Sequence, residues 1–337
     1  MSSTVEENDL PEPGMEALLR AVGRRSTPAA QMTSGVYDAV HAEWLDVVLR
    51  RQHRGHLLGY AVAAGIACLV VAVIVGLKFF TTDPVPSASI ERIDGTLLVS
   101  HDGRGEWSAA RIGAGVSTGD KVRAVDGSRA AFAFGEGVSV RLDAGSVMEI
   151  ASPERVVLVH GSVYVDANPH APAGRLVVTT PFGSVRHLGT QYLVNLSHDE
   201  MLVSVREGEI ELSRDSGTLI AHSGEGLLVS SAGAASVTTV QPSDSRWQWA
   251  TAIAPGFSID HQSLTAFLAW VARETGKQVT YSNRAAEAQA AAVILRGSTS
   301  DLAPEQALRA VLATTSLKCV ESGTTIEIYG ARQAGGG

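Results

Sequence analysis

The polar and apolar positions of this chain change their period several times, and each change marks a segment. From Leu57 to Leu77 the sequence reads LLGYAVAAGIACLVVAVIVGL, with no charged residue. As a helix this run is about 31 Å long, matching a bilayer hydrocarbon core of about 30 Å. A core helix of a globular domain is shorter and keeps a polar face. A signal peptide would have a shorter apolar stretch, nearer the N-terminus, ending in a small-residue cleavage site. Here 56 residues precede the run. The pattern therefore predicts a single transmembrane helix over 57–80. Arg50, Arg51 and Arg54 lie just before it, whereas Lys78 alone follows closely, with Asp83 beyond. That asymmetry keeps the N-terminus in the cytoplasm.

Residues 1–56 begin acidic and proline-marked and then become helical in pattern. Val36, Val40, Trp44, Val47 and Val48 fall at i, i+4, i+8, i+11 and i+12, one apolar stripe. So short a segment buries little surface alone. The stripe predicts a partner, either another helix of the segment or a second protein, unless it is a juxtamembrane helix running on into the span.

After the span, residues 81–89 (TTDPVPSAS) read as a linker. From 90 to 230 the period falls to two. Val156–Val159, Ser162–Val165, Leu176–Thr179, Met201–Arg206, Glu209–Leu212 and Leu227–Ser230 alternate, punctuated by His160-Gly161, Glu207-Gly208 and Ser216-Gly217. Short strands at this spacing predict an all-β domain, solenoid- or sandwich-like. Residues 231–254 form a second linker, small and polar apart from Trp247 and Trp249. Over 255–330 strand and helix signals mix. A strand at Phe257–Ile259, an N-cap at Ser263, a helix carrying Leu264, Phe267, Leu268 and Val271, a stop at Gly276 and a strand at Gln278–Tyr281 make one βαβ unit. Val293–Leu295, a helix from Pro304, Leu317–Val320 and a closing strand at Thr325–Tyr329 make a second. The expectation is a small α+β domain of two βαβ units, with a disordered tail over 331–337.

Composition narrows the function. A net charge of -8 argues against a nucleic-acid-binding chain. Cys68 and Cys319 are too far apart in the pattern to imply a disulfide framework. His101, His160, His170, His187, His198 and His222 are scattered singly and read as surface or turn residues, so no metal or cofactor is implied. The hydrolase signature H-E-x-x-H does not occur, and Gly115-Val116-Ser117-Thr118-Gly119, which matches G-x-S-x-G by letters, lies in the period-two segment and not in the strand-to-helix elbow that motif requires.

The run Thr179-Thr180-Pro181-Phe182-Gly183-Ser184-Val185-Arg186-His187-Leu188-Gly189-Thr190-Gln191-Tyr192-Leu193-Val194, continued by Val203, Val205, Glu207-Gly208 and Ile210, resembles the signature of the FecR family. Gly119-Asp120-Lys121-Val122 and the alternation around Phe132–Phe134 resemble that family's earlier strands. The C-terminal wording, with F-S-I-x-x-Q-S-L, A-P-E-Q-A-L-R-A-V-L and T-T-I-E-I-Y, is similar to the secretin/TonB short N-terminal (STN) domain, a docking module. The resemblance implies an inner-membrane anti-sigma factor or sigma regulator with periplasmic C-terminal domains. Its partners would be an extracytoplasmic-function sigma factor, held through the stripe at Val36, Val40, Trp44, Val47 and Val48, and the signalling domain of a TonB-dependent outer-membrane receptor. Iron chelates are the family's best-known signals. Several members are cut between the glycine and threonine matching Gly189 and Thr190, where a threonine hydroxyl can attack the preceding carbonyl in an N-to-O acyl shift. A purely structural role, glycine for close backbone approach and threonine for a β position, accounts for the same pair. An envelope scaffold that keeps both modules without sigma control is the alternative, since 56 residues are short for the family's cytoplasmic domain. A periplasmic hydrolase is the third reading.

Overall fold

Alternation of buried and exposed residues, as in Val138-Ser139-Val140 or Val147-Met148-Glu149-Ile150, puts every second side chain into one interior and builds strands from residue 88 onward. The structure is a computed structural model and describes residues 35–36, 38–45, 69, 86–101, 105–135, 137–168, 175–299 and 302–330. The chain divides into two units, Met1–Asp83 and Pro84–Gly337.

In the first unit, residues 35–36 and 38–45 are helical. Among the described residues no helix is long and apolar enough to cross a membrane. The predicted span lies outside the described residues except for Leu69, which is helical and exposed.

In the second unit the chain passes back and forth between two sheets. β1 (Ala88–Asp94) lies in the first. β2 (Leu97–Ser100) and β3 (Ser108–Ala109) lie in the second, and β4 (Gly115–Val116) returns to the first. β5 (Lys121–Ala124) is in the second, β6 (Arg129–Ala133) and β7 (Val138–Leu142) in the first, and β8 (Val147–Ser152) in the second. β9 (Arg155–Ala167) belongs to both. Then β10 (Val177–Thr180) and β11 (Gly183–His187) join the second sheet, β12 (Gln191–Leu196) and β13 (Glu200–Glu207) the first. β14 (Glu209–Arg214) and β15 (Gly217–His222) return to the second, β16 (Glu225–Ser230) and β17 (Ala235–Thr239) to the first.

The first sheet has the order β4-β1-β6-β7-β9-β12-β13-β16-β17, antiparallel throughout. The second has the order β3-β2-β5-β8-β9-β10-β11-β14-β15, with one parallel pair, β9–β10. Both contribute to one core, which includes Ile90, Phe132 and Val140 from the first and Leu97, Met148 and Val185 from the second. This arrangement is the sandwich of the two predicted alternatives.

Several expectations are corrected. His160-Gly161 is not a turn between strands but a bend within β9, whose first half pairs with β8 and second half with β12. Gly161 has φ +92°, and a Cβ there would come within 2.2 Å of Ser146 Oγ, so the bend needs glycine. The predicted linker at 231–254 is structured, with β17, a 3-10 turn at Ser245–Trp247, and helix α1 (Gln248–Ala252), because Trp247 and Ala250 are buried. His187 is buried and not a surface residue.

The C-terminal module consists of α2 (Leu264–Thr275), β18 (Gln278–Tyr281), α3 (Arg284–Ala292), α4 (Pro304–Ala313), β19 (Leu317–Ser322) and β20 (Thr325–Gly330). Its sheet has the order β18-β20-β19, with β18 parallel and β19 antiparallel to β20. The Ser263 side chain accepts from Ala266 N–H, and Gly276, at φ +65°, ends α2 in left-handed backbone, both as predicted. Two predicted strands are absent as strands. Phe257–Ile259 has no strand partner, its Phe257 ring stacked on Trp270, and Val293–Leu295 keeps a single bridge between Ile294 and Ser263. Helix α3, capped by Asn283, was not expected. The module is α+β, but not two complete βαβ units.

Candidate functional site

The Gly189–Thr190 pair lies where the chain crosses from β11 in the second sheet to β12 in the first. Gly208 lies at the reverse crossing, between β13 and β14. The two crossings are pressed together: a Cβ on Gly208 would come within 2.5 Å of the Gly189 carbonyl oxygen and 2.9 Å of Thr190 Cβ. Leu188 N–H donates to Glu209 O at 3.0 Å, and Ala167 N–H to Thr190 O at 3.0 Å. Thr190 is buried, and its hydroxyl donates to the Glu207 carbonyl.

Two residues upstream, the His187 imidazole accepts from Leu176 N–H at its Nε2 (3.3 Å). Gly189 N–H lies 3.5 Å from His187 Nδ1. Burial holds the His187 pKa below its ordinary value, so the ring is neutral at pH 7. Chemically, the step pairs a hydroxyl with the carbonyl it would attack. That hydroxyl is bonded to a backbone carbonyl, which positions it but cannot take its proton.

The crossing adjoins a cluster of charges between the first sheet and the C-terminal module. Arg141 on β7 is fully buried and binds Glu274 of α2 through both terminal nitrogens, at 2.7 and 2.9 Å. It also donates to Ala250 O at 2.9 Å and lies over the Tyr164 ring, 4.9 Å from its centroid. Arg206 on β13 donates to Pro242 O and Glu274 O, and lies over the Trp247 ring. Arg273 on α2 donates to Asp166, to Ala167 O and to Glu207. Asp166 in turn accepts from Gln191 Nε2 at 3.0 Å. Burial alone would depress the Arg141 pKa, but the Glu274 and Asp166 carboxylates outweigh it and raise it. Burial likewise pushes the Tyr164 phenol up, so it stays protonated.

Sequence reasoning located Gly189 and Thr190 and missed the cluster around them. The available signal was Arg141 within Val140-Arg141-Leu142, a charge in a strand whose neighbours are all buried. Of the predicted stripe, Val36, Val40 and Trp44 lie on the helical residues of the first unit and are exposed. Val47 and Val48 lie outside the described residues.

Residues 120–211, from the approach to β5 into β14, match the family model described as FecR protein, so the chain carries a FecR-type domain. Two crystal structures of a candidate anti-sigma factor from Parabacteroides distasonis, at 2.50 and 1.65 Å resolution, are similar at 17% identity and a TM-score of 0.34. Each similarity covers 62% of this chain and 98% of that one. No curated protein matches the sequence.

Proposed function

We propose that this chain is a sigma-factor regulator of the inner membrane, relaying a periplasmic state to an extracytoplasmic-function sigma factor in the cytoplasm. The observation that carries the reading is the FecR-type segment at 120–211, set behind an apolar run long enough to span a bilayer. Val36, Val40 and Trp44, exposed on a helix, are the surface offered to the sigma factor. On the other side of the membrane, the β domain and the STN-like module receive the signalling domain of a TonB-dependent receptor. Any iron dependence belongs to that receptor.

The test is co-purification of the sigma factor with the full-length chain from membranes, using Val40→Glu and Trp44→Glu as the disrupting pair. Loss of the sigma factor in the variants is the expected result. No recovery with either favours the scaffold reading, whereas equal recovery with variant and wild type moves the sigma-factor contact away from Val36, Val40 and Trp44. Topology is tested separately: residues 84–337 should resist protease in intact cells and be degraded once the outer membrane is opened.

The chain works in this reading by binding and not by catalysis. Self-cleavage at Gly189–Thr190 is a separate proposal, in which Thr190 Oγ attacks the Gly189 carbonyl, the amide C–N bond breaks as the Thr190 nitrogen leaves as an amine carrying the hydroxyl proton, and water then hydrolyses the ester to a Gly189 carboxylate and a free Thr190 hydroxyl. The Thr190 hydroxyl's bond to Glu207 favours a structural role. A processed fragment that persists unchanged in Thr190→Ala on an immunoblot rules self-cleavage out.

A further inference from the structure

The β domain and the C-terminal module each have a complete core. One is drawn from residues between Ala88 and Val229, the other from residues between Ile259 and Ile328. A third, smaller apolar cluster joins Tyr164 and Leu193 of the first sheet to Val240, Trp247 and Ala250 of the connecting segment, with Trp249 half-buried against it. Among the described residues polar contacts add to it: Arg141 and Arg273 pair with Asp166, Glu207 and Glu274, and Arg206 donates to the backbone carbonyls of Pro242 and Glu274. Buried ion pairs recover much of their energy as hydration when separated, so they fix a geometry more than they strengthen it. Polar contacts between self-sufficient domains are of the kind that open. The two modules can therefore part without either losing its core.

Arg273 connects that contact to the Gly189–Thr190 crossing. Its guanidinium binds three residues, and each of them holds the crossing. Asp166 accepts from Gln191, Ala167 N–H donates to Thr190 O, and the Glu207 carbonyl accepts from the Thr190 hydroxyl.

We propose that the C-terminal module is a latch, which when seated on the first sheet through Arg273 and Glu274 braces the Gly189–Thr190 crossing and when released loosens it. Seated and released states differ in the contacts of Asp166, Ala167 and Glu207, which is the differential interaction that coupling requires. The latch stands whether or not the peptide is ever cut, and does not depend on sigma-factor binding.

Hydrogen exchange of the full-length protein in detergent micelles reads both states. Glu274→Gln leaves Arg141 buried without its bidentate partner. Exchange in peptides 188–192 and 241–256 should rise about tenfold or more, while peptide 129–133 in the β core stays unchanged. If 241–256 rises and 188–192 does not, the coupling is overturned. If neither rises, or if all three rise together, there is no latch. Should Glu274→Gln fail to fold, Arg273→Gln decides, since the Arg141–Glu274 pair is left intact. It should raise exchange in 188–192 about threefold with 129–133 unchanged; wild-type exchange in 188–192 overturns the proposal.

Discussion

Glycines 189 and 208 both sit in left-handed backbone, at φ +79° and +83°, yet they answer to different constraints. At Gly189 a Cβ would meet nothing within 4 Å, so Gly189→Ala bears only the conformational penalty, about 1–2 kcal/mol. At Gly208 the same methyl would strike the Gly189 carbonyl and Thr190, and Gly208→Ala should lose about 2–4 kcal/mol. Denaturant unfolding of the two variants side by side checks the order. His187 gives a pH signature. Its pKa is lowered in the folded chain by burial, so below about pH 6.5 the unfolded chain takes up a proton that the folded chain does not. The stability it supports is complete above that pH and declines as pH falls toward the folded pKa. His187→Asn should reduce the drop in melting temperature between pH 7 and pH 5 relative to wild type. The Gly-Thr pair was legible because it is a local motif. Its contact with Gly208 was not, because it arises only once two sheet-to-sheet crossings are laid against each other.

At the scale of elements, what was legible is what repeats locally. Alternation located most strands, and α2 was framed by its own chemistry at Ser263 and Gly276. Ser263→Ala removes the side-chain acceptor for Ala266 N–H and should weaken the module by about 1 kcal/mol, readable as a lower urea midpoint. Helix α3 escaped because its sequence, RAAEAQAAA, has no large apolar residue to mark a stripe. Its buried face is only Ala286 and Ala290, one turn apart. The strand expected at Phe257–Ile259 failed for the opposite reason. Ile259 is buried and Phe257 half-buried by side-chain packing, with Phe257 against Phe267 and Trp270, and not by a ladder. Period two reports burial on one side, which a segment without strand neighbours also satisfies.

At the scale of the whole molecule, the charges joining the two modules were out of reach of periodicity, since Arg141 and Glu274 are 133 residues apart. Their energetics can be separated by a double-mutant cycle. Arg141→Met leaves Glu274 buried without its cation and should weaken the seat by about 3–5 kcal/mol, whereas Arg141→Met combined with Glu274→Met should recover most of it. Protection of residues 241–256 in each variant measures the difference. The strand shared by both sheets bears on how the protein is made. A chain emerging N-terminus first can lay down β1 to β8, but β7 and β8 then face outward with unpaired backbone until Arg155–Ala167 arrives to complete both ladders at once. Until that strand arrives, the two ladders end in open edges at β7 and β8, of the kind that pair with a neighbouring copy. A chain truncated short of residue 155 thus keeps both edges open, and the central strand is what closes them.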